Sequence, residues 1–86
     1  MDIGVEISLY PLTRAYGTEI RAFVARLEQQ PHLKVVTNSL STQVFGAYDA
    51  VMATLQRELR VTFESLAGAS ERAVFVMKLL GPLPPA

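Results

Sequence analysis

The segment TNSLSTQVFG, residues 37 to 46, gathers Asn38, Ser41, Thr42 and Gln43 in a chain that is 50% hydrophobic. Short hydroxyls and side-chain amides both donate and accept hydrogen bonds. Such a cluster either turns the chain, because Asn and Ser side chains bond the nearby backbone, or lines a site for a small polar ligand. A second set lies upstream. In EISLY, residues 6 to 10, Glu6, Ser8 and Tyr10 recur at every second position and so share one face of a strand. A carboxylate in mid-strand is costly to bury unless a cation or several donors meet it. Glu6 therefore lies on an open, solvated sheet edge, pairs with Lys34 or Lys78, or meets an aminopyrimidine, an amidine-like group or a cation brought by a ligand. Tyr10 either packs on its strand or offers a ring for stacking and cation–π contact.

Composition removes most other chemistries. The 86 residues carry eight basic and eight acidic side chains, with a sequence pI near 6.6. No basic excess exists to neutralise phosphates, so nucleic acid is not an expected partner. The absence of Cys excludes disulfides, thiolate nucleophiles and thiolate metal sites. The single His, His32, leaves no basis for a zinc site or a Ser-His-Asp triad, and neither metal nor cofactor is expected. No leader-like charged and apolar pattern opens the chain, and no apolar run approaches ~20 residues. The expectation is a cytoplasmic protein with no membrane contact.

The elements that must position these groups follow from periodicity. IGVEISLYPL, residues 3 to 12, alternates: Ile3, Val5, Ile7 and Leu9 on one face, Gly4, Glu6, Ser8 and Tyr10 on the other. That period of two predicts a strand with one buried face, ended by Pro11. TEIRAFVARLEQQ places Ile20, Phe23, Val24 and Leu27 at helical spacing, with Thr18 as N-cap and Pro31 beyond its end. LKVV and TQVFG predict two short strands flanking the polar cluster. A second helix runs from an Asp49 cap to Gly68, with Val51, Met52, Leu55, Leu59, Phe63 and Leu66 as its buried stripe. Gln56, Arg57, Glu58 and Arg60 fall away from that stripe. Tyr16 and Tyr48, beside the helix starts, suit a staple role. AVFVMKLL, residues 73 to 80, predicts a last strand, and residues 80 to 86 a tail.

The order βαββαβ predicts one domain over residues 1 to 86. Its fold class is α+β: a ferredoxin-like sandwich, a four-stranded antiparallel sheet with two helices on one face. The first and third strands are central. A domain this small buries only about 60–65% of its unfolded surface. Its second sheet face carries apolar residues such as Val36, Phe45 and either Val76 or Met77. An uncovered apolar face points to assembly, as a homodimer or a homotetramer.

EISLYPL, TNSLSTQVFGAYDAVM and VFVMKLL, in this order and spacing, resemble the YkoF-type thiamine/hydroxymethylpyrimidine-binding family and its small single-domain thiamine-binding relatives. The resemblance covers nearly the whole chain. It implies non-catalytic, cytoplasmic binding of thiamine or its pyrimidine precursor by an oligomer. On the matching positions it implies a site made of Glu6, Ser8, Tyr10, Asn38, Ser41, Thr42 and Gln43. An aminopyrimidine fits such a set: hydroxyls, an amide and a carboxylate satisfy its edge, while a Tyr or Phe45 covers its ring. The thiazolium charge of full thiamine adds a reason for Glu6, or Asp49, nearby.

Two rival readings stand. In one, the sheet face serves only to assemble subunits or dock a partner, with no ligand. In the other, Arg14 and Asn38 occupy roughly the places of the functional Arg and Asn of ferredoxin-like acylphosphatases. The loop YPLTRAYGTE, however, has one Gly where an anion-cradling loop would need several.

Overall fold

A computed structural model describes residues 1 to 84. The elements are β1 (Asp2–Leu12), α1 (Tyr16–Glu28), β2 (Lys34–Thr37), β3 (Thr42–Ala47), α2 (Tyr48–Ala67) and β4 (Arg72–Leu83). They form one four-stranded sheet in the order β2-β3-β1-β4, every neighbouring pair antiparallel. With β1 and β3 central and both helices on one face, the architecture is the ferredoxin-like sandwich. The alternation in β1 has the expected result. Ile3, Val5 and Ile7 are buried with Val44, beneath Phe23 and Leu27 of α1 and Val51 and Leu55 of α2.

Register assigns the other face. Glu6 lies opposite Gln43 on β3 and Lys78 on β4, and Ser8 opposite Val76. Val36 pairs with Gln43, and Phe45 with Gly4. The open face therefore carries Val36, Phe45, Val74, Val76 and Leu80 around the Glu6–Lys78 pair. Val76, not Met77, belongs to it; Met77 pairs with Ile7 on the helix side. Gly4 is required here, since a Cβ would stand 2.8 Å from the Phe45 ring that lies across it.

Several boundaries differ from the sequence expectation. Pro11 does not end β1, which runs to Leu12 paired with β4. β1 has no β3 neighbour at that point, so the missing N–H costs no ladder bond on that side. The last strand also continues, through Gly81 and Pro82 to Leu83, so residues 80 to 83 are strand rather than tail; residues 85 and 86 lie outside the described residues. Thr18 is not the N-cap of α1. That helix begins at Tyr16, and the Ala15 carbonyl takes the first N–H groups, those of Thr18 and Glu19. Asp49 does not cap α2 either. β3 passes directly into α2 through Ala47, leaving no loop residue to cap, and Asp49 sits exposed in the first turn. There it still complements the helix dipole.

The buried stripe of α2 is also rolled from its expected position. Val51, Thr54, Leu55, Glu58, Thr62 and Leu66 are buried, while Phe63 is 47% exposed. The helix packs on α1 as well as on the sheet, and polar groups fill that seam. Arg26 Nε donates to Glu58 Oε2 at 2.6 Å, and Arg26 Nη2 donates to Thr62 Oγ1 at 2.9 Å. Glu58 can sit at 5% exposure because a cation meets it there. Phe63 is displaced toward β4, where it meets Phe75 edge-on at 5.4 Å; Phe75 in turn meets Phe23 at 5.2 Å.

Phe23→Ala should therefore cost about 3–5 kcal/mol, and Phe63→Ala only about 1–2 kcal/mol, since half of that ring already faces water. Urea denaturation of both variants measures the difference. Equal losses would show that the α2 seam has been misplaced.

Candidate functional site

The strands are of unequal length, and the site lies where the shorter ones stop. The β1–β3 ladder ends at Ile7↔Thr42, while the β1–β4 ladder continues to Leu12↔Arg72. From Ser8 to Leu12, β1 therefore has no neighbour on its β3 side. The main-chain N–H and C=O groups that point to that side face a gap instead of a strand.

The turn between β2 and β3 fixes where the gap begins. Asn38 Oδ1 accepts the N–H groups of Leu40 at 2.8 Å and Ser41 at 3.0 Å, and the Asn38 N–H donates to the Ser41 carbonyl at 3.1 Å. One side chain thus reverses the chain over four residues. β3 can start only after it, at Thr42.

The gap is an open cleft of about 540 Å³ between β1, the first half of α1 and the β2–β3 turn. Ile7, Phe23 and Thr42 form its buried floor; Tyr10, Tyr16 and Leu40 stand at its mouth. The Thr42 hydroxyl lies 3.5 Å from that of Thr37, which also lines the cleft. All the lining side chains are uncharged at neutral pH. The wall is mainly apolar, with the hydroxyls and the Asn38 amide gathered on the turn side. An apolar wall with a few placed polar groups is the general composition of small-molecule clefts.

Five of the seven residues expected from the sequence line this cleft: Ser8, Tyr10, Asn38, Ser41 and Thr42. Glu6 and Gln43 do not. They face each other on the open side of the sheet, inside the ladder rather than beyond its end. Glu6 accepts a hydrogen bond from Ser41 Oγ at 3.3 Å and lies 4.0 Å from Lys78 Nζ, so the ion pair is with Lys78 and not with Lys34. Phe45 is likewise no cover for a ring in the cleft, because it lies over Gly4. Asp49 and Arg14 are not among the lining residues.

The sequence missed Tyr16, Ile20, Phe23 and Val24 as cleft residues. The signal was present, since α1 had to cover the part of β1 that β3 leaves bare, but reading it requires the register. Among the described residues no group of three or more His, Asp or Glu stands together that could hold a metal ion. Nor is any helix of the described residues long and apolar enough to cross a membrane.

No protein-family model matches the chain, and no curated protein does. Solved structures match in shape. A Streptococcus pneumoniae protein superposes with a TM-score of 0.83 at 19% identity, covering 96% of this chain and 89% of its own. A Thermotoga maritima protein provisionally assigned to thiamine biosynthesis or salvage gives 0.78 at 15%, over 92% and 82%. A Bacillus cereus domain of unknown function, DUF77, gives 0.72 at 12%, over 95% and 77%. At these identities the likeness is one of fold, and none of the three is described by a reaction.

The two bonds to Asn38 Oδ1 give a direct test of the turn. Asn38→Ala should cost about 1 kcal/mol or more and speed amide exchange at Leu40 and Ser41. Unchanged exchange at both amides would show that something else holds the turn.

Proposed function

We propose that the protein is a non-catalytic cytoplasmic binding protein for a small planar heterocycle, thiamine or its hydroxymethylpyrimidine moiety, held in the cleft beside β1. One observation carries this reading: a cleft of about 540 Å³ with an uncharged, mostly apolar wall and a polar rim of Ser8, Asn38, Ser41 and Thr42. The apolar wall and the Tyr10 and Tyr16 rings suit the two faces of a flat ring. The hydroxyls, the Asn38 amide and the free edge of β1 suit its donors and acceptors. The uncharged lining favours the neutral pyrimidine over phosphorylated forms of thiamine, which need cations or converging main-chain N–H groups. The fold shared with a protein provisionally assigned to thiamine biosynthesis or salvage is consistent with this ligand class.

A hydrolase of the acylphosphatase type has less support. Arg14 lies outside the cleft, and the segment YPLTRAYGTE has one Gly where an anion cradle needs several.

The same reading includes assembly. Val76 is 50% exposed and Leu80 64% exposed on the open sheet face, and the mouth of the cleft adjoins that face at Ser8 and Tyr10. A second copy packed there would remove this apolar surface from water. Sedimentation equilibrium at micromolar concentration should give a dimer or tetramer. A 9.5 kDa monomer would defeat this part of the proposal.

Binding is tested by isothermal titration with hydroxymethylpyrimidine, thiamine and an acyl phosphate, using Thr42→Val as the companion variant. Thr42 is buried at 6%, and Val keeps its shape and suits a strand, so stability without ligand should change little. Affinity should fall by about 10- to 100-fold as a hydroxyl facing the ligand is lost. Ligand binding that Thr42→Val leaves intact would place the site elsewhere.

A further inference from the structure

The polar rim of the cleft contains one group whose hydrogen-bonding direction is dictated from outside it. Ser41 lines the cleft, and its Oγ lies 3.3 Å from Glu6 Oε2, across the end of the β1–β3 ladder. An ionised carboxylate only accepts hydrogen bonds, so in this contact the serine hydroxyl is the donor. Lys78 does not displace it, since its ammonium is 4.0 Å from the other carboxylate oxygen and is largely solvated. The main-chain groups of Ser41 are also committed: its N–H donates to Asn38 Oδ1 and its carbonyl accepts from the Asn38 N–H. What Ser41 has left for the cleft is the lone pairs on Oγ.

We infer that Glu6 is a positioning residue that makes Ser41 an obligate acceptor, so the cleft selects a ring bearing an exocyclic amine over the same ring bearing a carbonyl oxygen. An amino group donates to the Ser41 oxygen. An oxo group in its place would set two acceptors against each other at Ser41, whose proton is directed to Glu6. A ligand amine also gains from the carboxylate behind the hydroxyl, because a hydroxyl that donates to an anion becomes the stronger acceptor. Glu6 thus acts on specificity without touching the ligand, which accounts for a carboxylate beside the cleft yet outside its lining. The inference rests on the ligand class proposed above and adds the group that is read.

Glu6→Gln tests it with little change of shape at a half-exposed position. The amide that this substitution introduces can donate to Ser41 Oγ, which frees the serine proton to point into the cleft. The probes are the 4-amino and 4-oxo forms of one 5-hydroxymethyl-2-methylpyrimidine, titrated calorimetrically. The parent should prefer the amino form by about tenfold or more, and Glu6→Gln should shrink or reverse that ratio with an unchanged melting temperature. In a Ser41→Ala background, Glu6→Gln should leave the ratio unaltered, because the intermediary is gone. A parent that binds both forms equally overturns the inference while the binding role stands. A Glu6→Gln effect that persists without the Ser41 hydroxyl also overturns it, by showing that Glu6 acts directly. Failure of the parent to bind either probe defeats the binding role and the inference together.

Discussion

A single carbonyl oxygen, Asn38 Oδ1, sets the geometry on which the candidate site depends. By accepting the N–H groups of Leu40 and Ser41 it turns the chain where β2 could have grown longer, and so delays the start of β3 to Thr42. β1 is then left with an unpaired edge from Ser8 onward, although β4 still supports it on the other side. An unpaired edge inside a sheet is a liability unless something occupies it. Here the space is walled by α1 and the turn, and its rim carries the hydroxyls of Ser8, Ser41 and Thr42. The turn-forming and site-forming roles of the polar cluster are thus not alternatives. Asn38 makes the turn, and the turn holds Ser41 and Thr42 at the cleft.

That geometry persists only if α1 keeps its position as the far wall. Two sets of contacts hold it. The Phe23–Phe75–Phe63 chain ties α1 to β4 and α2 through tilted and edge-on ring pairs. The Arg26–Glu58–Thr62 network ties the two helices along their seam, and Arg57 reaches Gln30 from the solvent side. Removing Arg26 would leave the buried Glu58 carboxylate without its main cation, which costs more than the pair contributes. The seam therefore specifies how the helices meet.

Shape resemblance and ligand chemistry carry different information here. The Streptococcus, Thermotoga and Bacillus structures share the backbone architecture at 12–19% identity. A fold of this kind hosts many functions, and the site decides among them. In this chain the cleft has an uncharged wall, a Ser41 hydroxyl bonded to Glu6 and a free edge of β1. They are the features on which the proposed binding of a flat, polar-edged ring rests.

The sequence alone determined the element order, the sheet topology and the buried face of β1, because a period of two and a period of 3.6 are local signals that one core must satisfy. It also singled out the polar cluster and five residues that line the cleft, since short hydrogen-bonding side chains are conspicuous in an apolar chain. It misplaced what depends on partners distant in sequence. Glu58 looked like a surface residue until Arg26, on the other helix, met it; Phe63 looked like core until α2 rolled to form that seam. Glu6 and Gln43 pair across the ladder instead of lining the cleft, because the ladder ends one step beyond them at Ile7↔Thr42. Tyr16 and Phe23 entered the cleft because α1 crosses the bare part of β1. Periodicity states which face of an element is buried; only the packed structure decides what lies against it.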